Sequence, residues 1–120
     1  MRRFFYSLMA AWAGIAFSIR NERHMRIHMA AAAVVCLLGL LLGLTLTEWA
    51  VILLAIGGVV CTEMINTAIE QAVNLASPEF HPIAKIAKDV AAGAVLIAAF
   101  LAAAIGLLIL GPPLWHLLFA

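Results

Sequence analysis

Glu63, Asn66 and Glu70 stand at spacings of three and four, at the end of an apolar run from Trp49 to Thr62 that contains no charged residue. On an α-helix the three fall within an arc of roughly 60°. A carboxylate can accept a proton or ligate a hard cation, and a neighbouring amide can orient either. Three such groups on one stripe of an otherwise apolar helix are costly to keep unless something uses them. The chain also offers Glu22, Glu79, His81, Lys85, Lys88 and Asp89. Carboxylates with an amide and lysines are the set that holds Mg2+ and a polyphosphate. No histidine follows any of these carboxylates by three residues, so the Glu-x-x-His pattern of di-iron bundles is missing. Neither a Walker A loop nor a Gly-rich kinase loop occurs. Spacing alone leaves a second reading open: interhelical hydrogen bonding or an ion pair for Glu63 and Asn66, solvation for Glu70 and Asp89, and headgroup anchoring for Lys85 and Lys88.

The elements that must position these groups are written in the composition. Of 120 residues, 67% are hydrophobic and 11% charged, against about 25% charged in an ordinary soluble domain. Mean hydropathy is +1.15. A soluble domain of this size could not hide so much apolar surface, so the expected solvent is a bilayer. Cys36 and Cys61 lie in apolar runs without metal-ligand spacing and read as small buried hydrophobes, not a disulfide.

Residues 1–27 hold Arg2, Arg3, Arg20, Arg23 and Arg26, with Phe5, Leu8, Trp12, Ile15 and Ile19 between them at helical spacing. That pattern predicts an amphipathic surface helix at the headgroup interface. It fits a cleaved signal peptide poorly, because the apolar positions are periodic rather than continuous. Three transmembrane helices are expected over 29–46, 48–75 and 83–110. Gly39-x-x-x-Gly43 would permit close helix approach. Thr47 is the expected N-cap of the second span, with Glu48 in its first turn. Ser77-Pro78 should end that span, and Gly111-Pro112-Pro113 should stop the third. The expected fold is therefore an all-α membrane protein, a single domain over 1–120.

All seven Lys and Arg fall in the N-terminal segment and the 74–89 connection. With three spans these lie on one side, which the positive-inside rule makes cytoplasmic; the C-terminus then lies outside. Every charged residue except Glu48 gathers on that one face.

The run Glu63-Met-Ile-Asn-Thr-Ala-Ile-Glu70, followed by Ser77-Pro78, His81-Pro82 and Ala84-Lys85-x-Ala87-Lys88-Asp89-Val-Ala-Ala-Gly-Ala-Val95-Leu96, closely resembles the small integral-membrane lipid kinases of bacteria, the prokaryotic diacylglycerol kinases and undecaprenol kinases. Asn21-Glu22, Arg26-Ile-His28 and Glu48-Trp49 fit the same pattern, so the resemblance covers about 90 residues in order. It implies a homotrimeric bundle in the bacterial inner membrane that transfers the γ-phosphate of Mg-ATP to the primary hydroxyl of a membrane lipid. No nucleic-acid partner is expected. Carried over by position, Glu63 resembles the general base, with Asn66 as its positioning partner. Glu22 and Glu70 resemble the Mg2+ ligands, which also contact ATP. Lys88 and Asp89 match the pair at the nucleotide phosphates, Glu79, Phe80 and His81 a loop near the nucleotide, and Glu48 and Trp49 join Glu63 toward the lipid.

The chain departs from this pattern at Asn74, where an Asp is common, and in lacking lysines on the surface helix. Only Arg2 and Arg3 remain there to meet ATP, Arg3 foremost. The Asn-Thr-Ala-Ile-Glu wording favours undecaprenol over diacylglycerol, whose product would be phosphatidic acid. The competing functions are a non-catalytic metal-binding or transport subunit, which should carry charge in the far half of the bilayer as well, and a structural membrane anchor.

Overall fold

A computed structural model describes the whole chain, residues 1–120, as four helices: α1 (Arg2–Asn21), α2 (Arg23–Leu42), α3 (Leu46–Ala76) and α4 (Pro82–Phe119). The last three are long and apolar enough to cross a membrane. Helices are the natural form for such segments, because they satisfy every backbone N–H and C=O internally where no water is at hand. α3 and α4 pack together most extensively; α2 lies against both, and α1 touches α2 and α3. The 38 residues of α4 extend about 57 Å at 1.5 Å each, which matches the longest dimension of the molecule, 57 Å.

Most of the surface is apolar and uncovered. Only ten of 120 residues are buried, and large side chains such as Leu54, Leu75, Leu96, Phe100 and Leu108 stand outward. That is the arrangement expected of helices whose flanks meet lipid or other helices rather than water. Both cysteines are free, but neither is buried: Cys36 is half-exposed and Cys61 exposed. The expectation of buried thiols fails because a chain that buries so little leaves its lateral faces open.

The bend between α1 and α2 falls at Glu22, whose backbone is extended (φ −110, ψ 113). The surface segment therefore ends at Asn21 rather than at residue 27, and Arg23, Arg26 and His28 belong to α2. Arg26 explains the position of the break. Its guanidinium Nη1 donates to the carbonyls of Ile19 (3.1 Å) and Arg20 (2.8 Å), which are among the C-terminal carbonyls a helix leaves without partners. α1 is almost wholly exposed, with Ser18 its one buried residue.

At the opposite end, α2 stops at Leu42 because Gly43 takes the left-handed conformation (φ 69), which glycine adopts without a Cβ penalty. Gly43 thus makes the turn rather than a helix–helix contact. Gly39 does make a close approach: a Cβ there would lie 2.8 Å from the Trp49 ring and 2.9 Å from Leu44 Cδ1. The N-cap of α3 is Thr45, not Thr47. Glu48 N–H donates to Thr45 Oγ1 (3.2 Å) while Thr45 N–H donates to Glu48 Oε1 (3.0 Å), a reciprocal capping box that needs Glu at the third helical position.

α3 ends at Ala76, with Ser77 as its cap residue. α4 begins at Pro82, after His81 has capped it by accepting the Ile83 N–H at Nδ1 (3.1 Å). The expected stop at Gly111-Pro112-Pro113 does not occur, since both prolines lie inside α4. Their missing N–H groups deprive two carbonyls one turn back of partners. The helix nevertheless resumes, and beyond the prolines the Trp115 and Phe119 rings pack at 4.5 Å.

Candidate functional site

Four of the ten buried residues are polar, and three of these, Glu63 (3% exposed), Asn66 (8%) and Thr67 (4%), lie within five positions of α3. A carboxylate is almost never fully buried unless something pairs with it. Here the partner comes from α2. His28 Nε2 lies 3.4 Å from Glu63 Oε2, with His28 itself 21% exposed. The contact has ion-pair distance without the alignment of a hydrogen bond. Thr67 settles its hydroxyl locally, donating to the Glu63 carbonyl (3.0 Å). Asn66 does not: its Oδ1 is buried with no donor. An unmet acceptor of this kind costs about 1–3 kcal/mol, and Oδ1 is free to accept from a donor or to ligate a cation.

α3 runs unbroken past Glu63 and carries the stripe onward to half-buried Glu70, about 10 Å along the axis, and one turn further to exposed Asn74. Asn74 Oδ1 accepts from Lys88 Nζ of α4. Lys88 belongs to a polar cavity of about 330 Å³ between the end of α3, the connecting loop and the start of α4. Glu79, Phe80, His81, Lys85 and Asp89 also line it. Lys85 and Asp89 pair at 2.6 Å, both well exposed, and Ser77 Oγ donates to the Glu79 carbonyl (2.9 Å) to shape the loop. The stripe thus joins a buried carboxylate within the bundle to a polar cavity of mixed charge at its rim.

Glu22 and Glu70 enter no ion pair with the chain's own cations, and Glu22 sits at the corner that Arg26 fastens. No three His, Cys, Asp or Glu side chains converge on one point. Carboxylates are the side chains Mg2+ takes, one or two at a time, with phosphate oxygens and water completing its shell.

A second, apolar groove of about 190 Å³ runs between α2, α3 and α4, and His28, which faces Glu63, is among the residues that line it. Small and branched side chains such as Ala32, Ile52, Val59, Ala99 and Ala103 form its walls, and His28 is its polar member.

Three residues expected at the site lie elsewhere within the single chain. Glu48 and Trp49 are at the other end of α3, about 22 Å along the axis from Glu63, with Glu48 engaged in the capping box and Trp49 against Gly39. Arg3 lies in the first turn of α1, about 28 Å along that helix from Glu22. Sequence reasoning assigned no role to His28, nor to Arg26 as the clamp of the α1–α2 corner. The signal for His28 was its place as the last ionisable residue before the apolar run of α2.

The model of the prokaryotic diacylglycerol kinase family matches residues 9–110. The chain belongs to that family. It is 46% identical to the undecaprenol kinase of Bacillus subtilis, covering 95% of this chain and 93% of that relative. It is also 41% identical to the diacylglycerol kinase of Synechocystis, over 93% of this chain and 65% of the relative. The diacylglycerol kinase of Helicobacter pylori is 34% identical, over 80% and 75% of the two chains. Membership makes the chain a lipid kinase, for which ATP is the phosphate donor.

Proposed function

We propose that this kinase transfers the γ-phosphate of Mg-ATP to the primary hydroxyl of undecaprenol, with diacylglycerol the second choice, on the cytoplasmic side of a bacterial inner membrane. The observation that carries the reading is the stripe on α3, with buried Glu63 beside the apolar groove at one end and Asn74, bound to Lys88, at the other. The identity to the B. subtilis undecaprenol kinase across nearly the full length of both chains supports the choice of lipid.

In this reading the lipid chain enters from the bilayer and its hydroxyl meets Glu63. A lipid alcohol is far too weak an acid to ionise by itself near neutral pH, so a positioned carboxylate takes the proton as the phosphoryl group arrives. The hydroxyl oxygen bonds to the γ-phosphorus, the bond from that phosphorus to the β–γ bridging oxygen breaks, and ADP leaves. The proton passes to Glu63 and then to water. Asn66 orients the reacting end with its unpartnered Oδ1. Lys88 leaves Asn74 to meet phosphate, with Asp89, Glu79, Phe80 and His81 around the nucleotide. Glu22 and Glu70 would hold Mg2+, which when bound offsets the charge of the phosphate oxygens.

The same reading has α1 lie as an amphipathic helix on the cytoplasmic surface and three chains associate as a homotrimer, which would cover part of the apolar flanks. Arg3 of α1 then contacts nucleotide, and Glu48 and Trp49 serve the lipid from the far side. A transport subunit is the weaker reading. The one charged group at the other end of the bundle, Glu48, is engaged in a helix cap rather than lining a path.

The test is phosphorylation of undecaprenol and of diacylglycerol in mixed micelles with γ-radiolabelled ATP and Mg2+. The proposal expects label in both lipids, with kcat/KM higher for undecaprenol. A higher value for diacylglycerol would reverse the substrate assignment, and label in neither would end the kinase reading.

A further inference from the structure

Glu63 is the most buried charged group in the molecule, and what faces it is not a second carboxylate or a lysine but His28 from another helix. The two helices pack against each other. Met25, one turn before His28, is fully buried, and Val59, one turn before Glu63, is buried too. His28 is itself half-buried between them. It is also the polar member of the apolar groove, so an alcohol whose chain occupies that groove presents its hydroxyl next to the histidine and the carboxylate together.

A lone carboxylate on a helix can turn about its side-chain bonds, and a base that turns loses the hydrogen-bonding reach that proton transfer requires. An imidazole held at ion-pair distance from a second helix restrains it. Because His28 approaches Oε2, Oε1 is left for the hydroxyl.

We propose that His28 is a positioning residue for phosphoryl transfer: its Nε2, seated at the polar end of the groove, holds Glu63 so that the other carboxylate oxygen meets the lipid alcohol. This rests on the reading of Glu63 as the proton acceptor. His28 exchanges no proton with the substrate and touches no nucleotide in this account, so its loss falls on kcat and leaves KM for ATP alone.

The experiment compares H28L and H28Q with wild type in the micelle assay, reading kcat and the KM for ATP and for lipid, with E63Q alongside. Leucine suits the apolar surroundings and removes the polar partner of Glu63; glutamine keeps a polar N–H group at similar reach. H28L is expected to lose at least tenfold in kcat, H28Q to stay within about threefold of wild type, and KM for ATP to stay unchanged in both. Full kcat in H28L overturns the proposal. So does H28Q as impaired as H28L, or a rise in KM for ATP that accounts for the loss. If H28L does not fold, H28Q against the shorter H28N decides: equal kcat in those two overturns it. An active E63Q would instead contradict the role of Glu63 itself, whereas an inactive E63Q with a fully active H28L contradicts only the role of His28.

Discussion

Lys88 on α4 donates to the Asn74 amide at the end of α3, tying the two most closely packed helices together across their connecting loop. The lysine proposed to meet the nucleotide phosphates is thus held by a neutral acceptor rather than a carboxylate. An exposed ion pair in its place would contribute about 0.2–1 kcal/mol, enough to compete with phosphate without abolishing binding.

Asn74→Asp is accordingly expected to raise KM for ATP by about two- to fivefold with little change in kcat, the factor that up to about 1 kcal/mol implies. Steady-state kinetics with ATP varied at saturating lipid checks this. An unchanged KM would mean that Lys88 is not held at Asn74 when nucleotide arrives.

Arg26 fastens the corner at which Glu22 sits by bonding to the carbonyls of Ile19 and Arg20. Arg26→Ala should loosen that corner and spoil the placement of Glu22 beside Mg-ATP. The expected result is a higher Mg2+ concentration for half-maximal rate, with lipid KM unaffected. A change confined to lipid KM would point to a different role for the bend.

Glu70→Gln removes one of the two carboxylates assigned to the cation. Activity should fall by tenfold or more and recover in part as Mg2+ is raised, because weakened coordination is offset by mass action. Loss of rate that is insensitive to metal concentration would argue against coordination by Glu70.

Gly39→Ala tests the packing that sets α2 against α3. The added Cβ would lie 2.8 Å from the Trp49 ring and 2.9 Å from Leu44. Overpacking of this kind typically costs about 1–3 kcal/mol. Thermal unfolding in detergent should show a lower Tm, and an unchanged Tm would mean that the α2–α3 turn relaxes freely.

The three long apolar helices and the polar stripe were legible in the sequence because both rest on local pattern: unbroken hydropathy for the former, spacings of three and four for the latter. Thr45-x-x-Glu48 was legible too, since a capping box requires that spacing, and choosing Thr47 overlooked it. The break at Glu22 was not. No glycine or proline stands near it, and it depends on Arg26 reaching carbonyls six and seven residues back. The prolines at 112 and 113 misled for the opposite reason, since a local breaker was overridden by a helix that continues beyond it. His28 stayed hidden because its meaning lies in a residue 35 positions away, and only the packing of α2 on α3 brings the two to 3.4 Å.

The central claim is that Glu63 accepts the proton of the lipid hydroxyl. Its most direct test is the rate of label transfer from γ-radiolabelled ATP to undecaprenol by Glu63→Gln, with nucleotide binding measured on the same preparation. Glutamine keeps the size of the side chain but cannot take a proton from the alcohol. The account predicts a loss of about two to four orders of magnitude in kcat, the range that a positioned base contributes, with ATP binding retained. Transfer at the wild-type rate would contradict it.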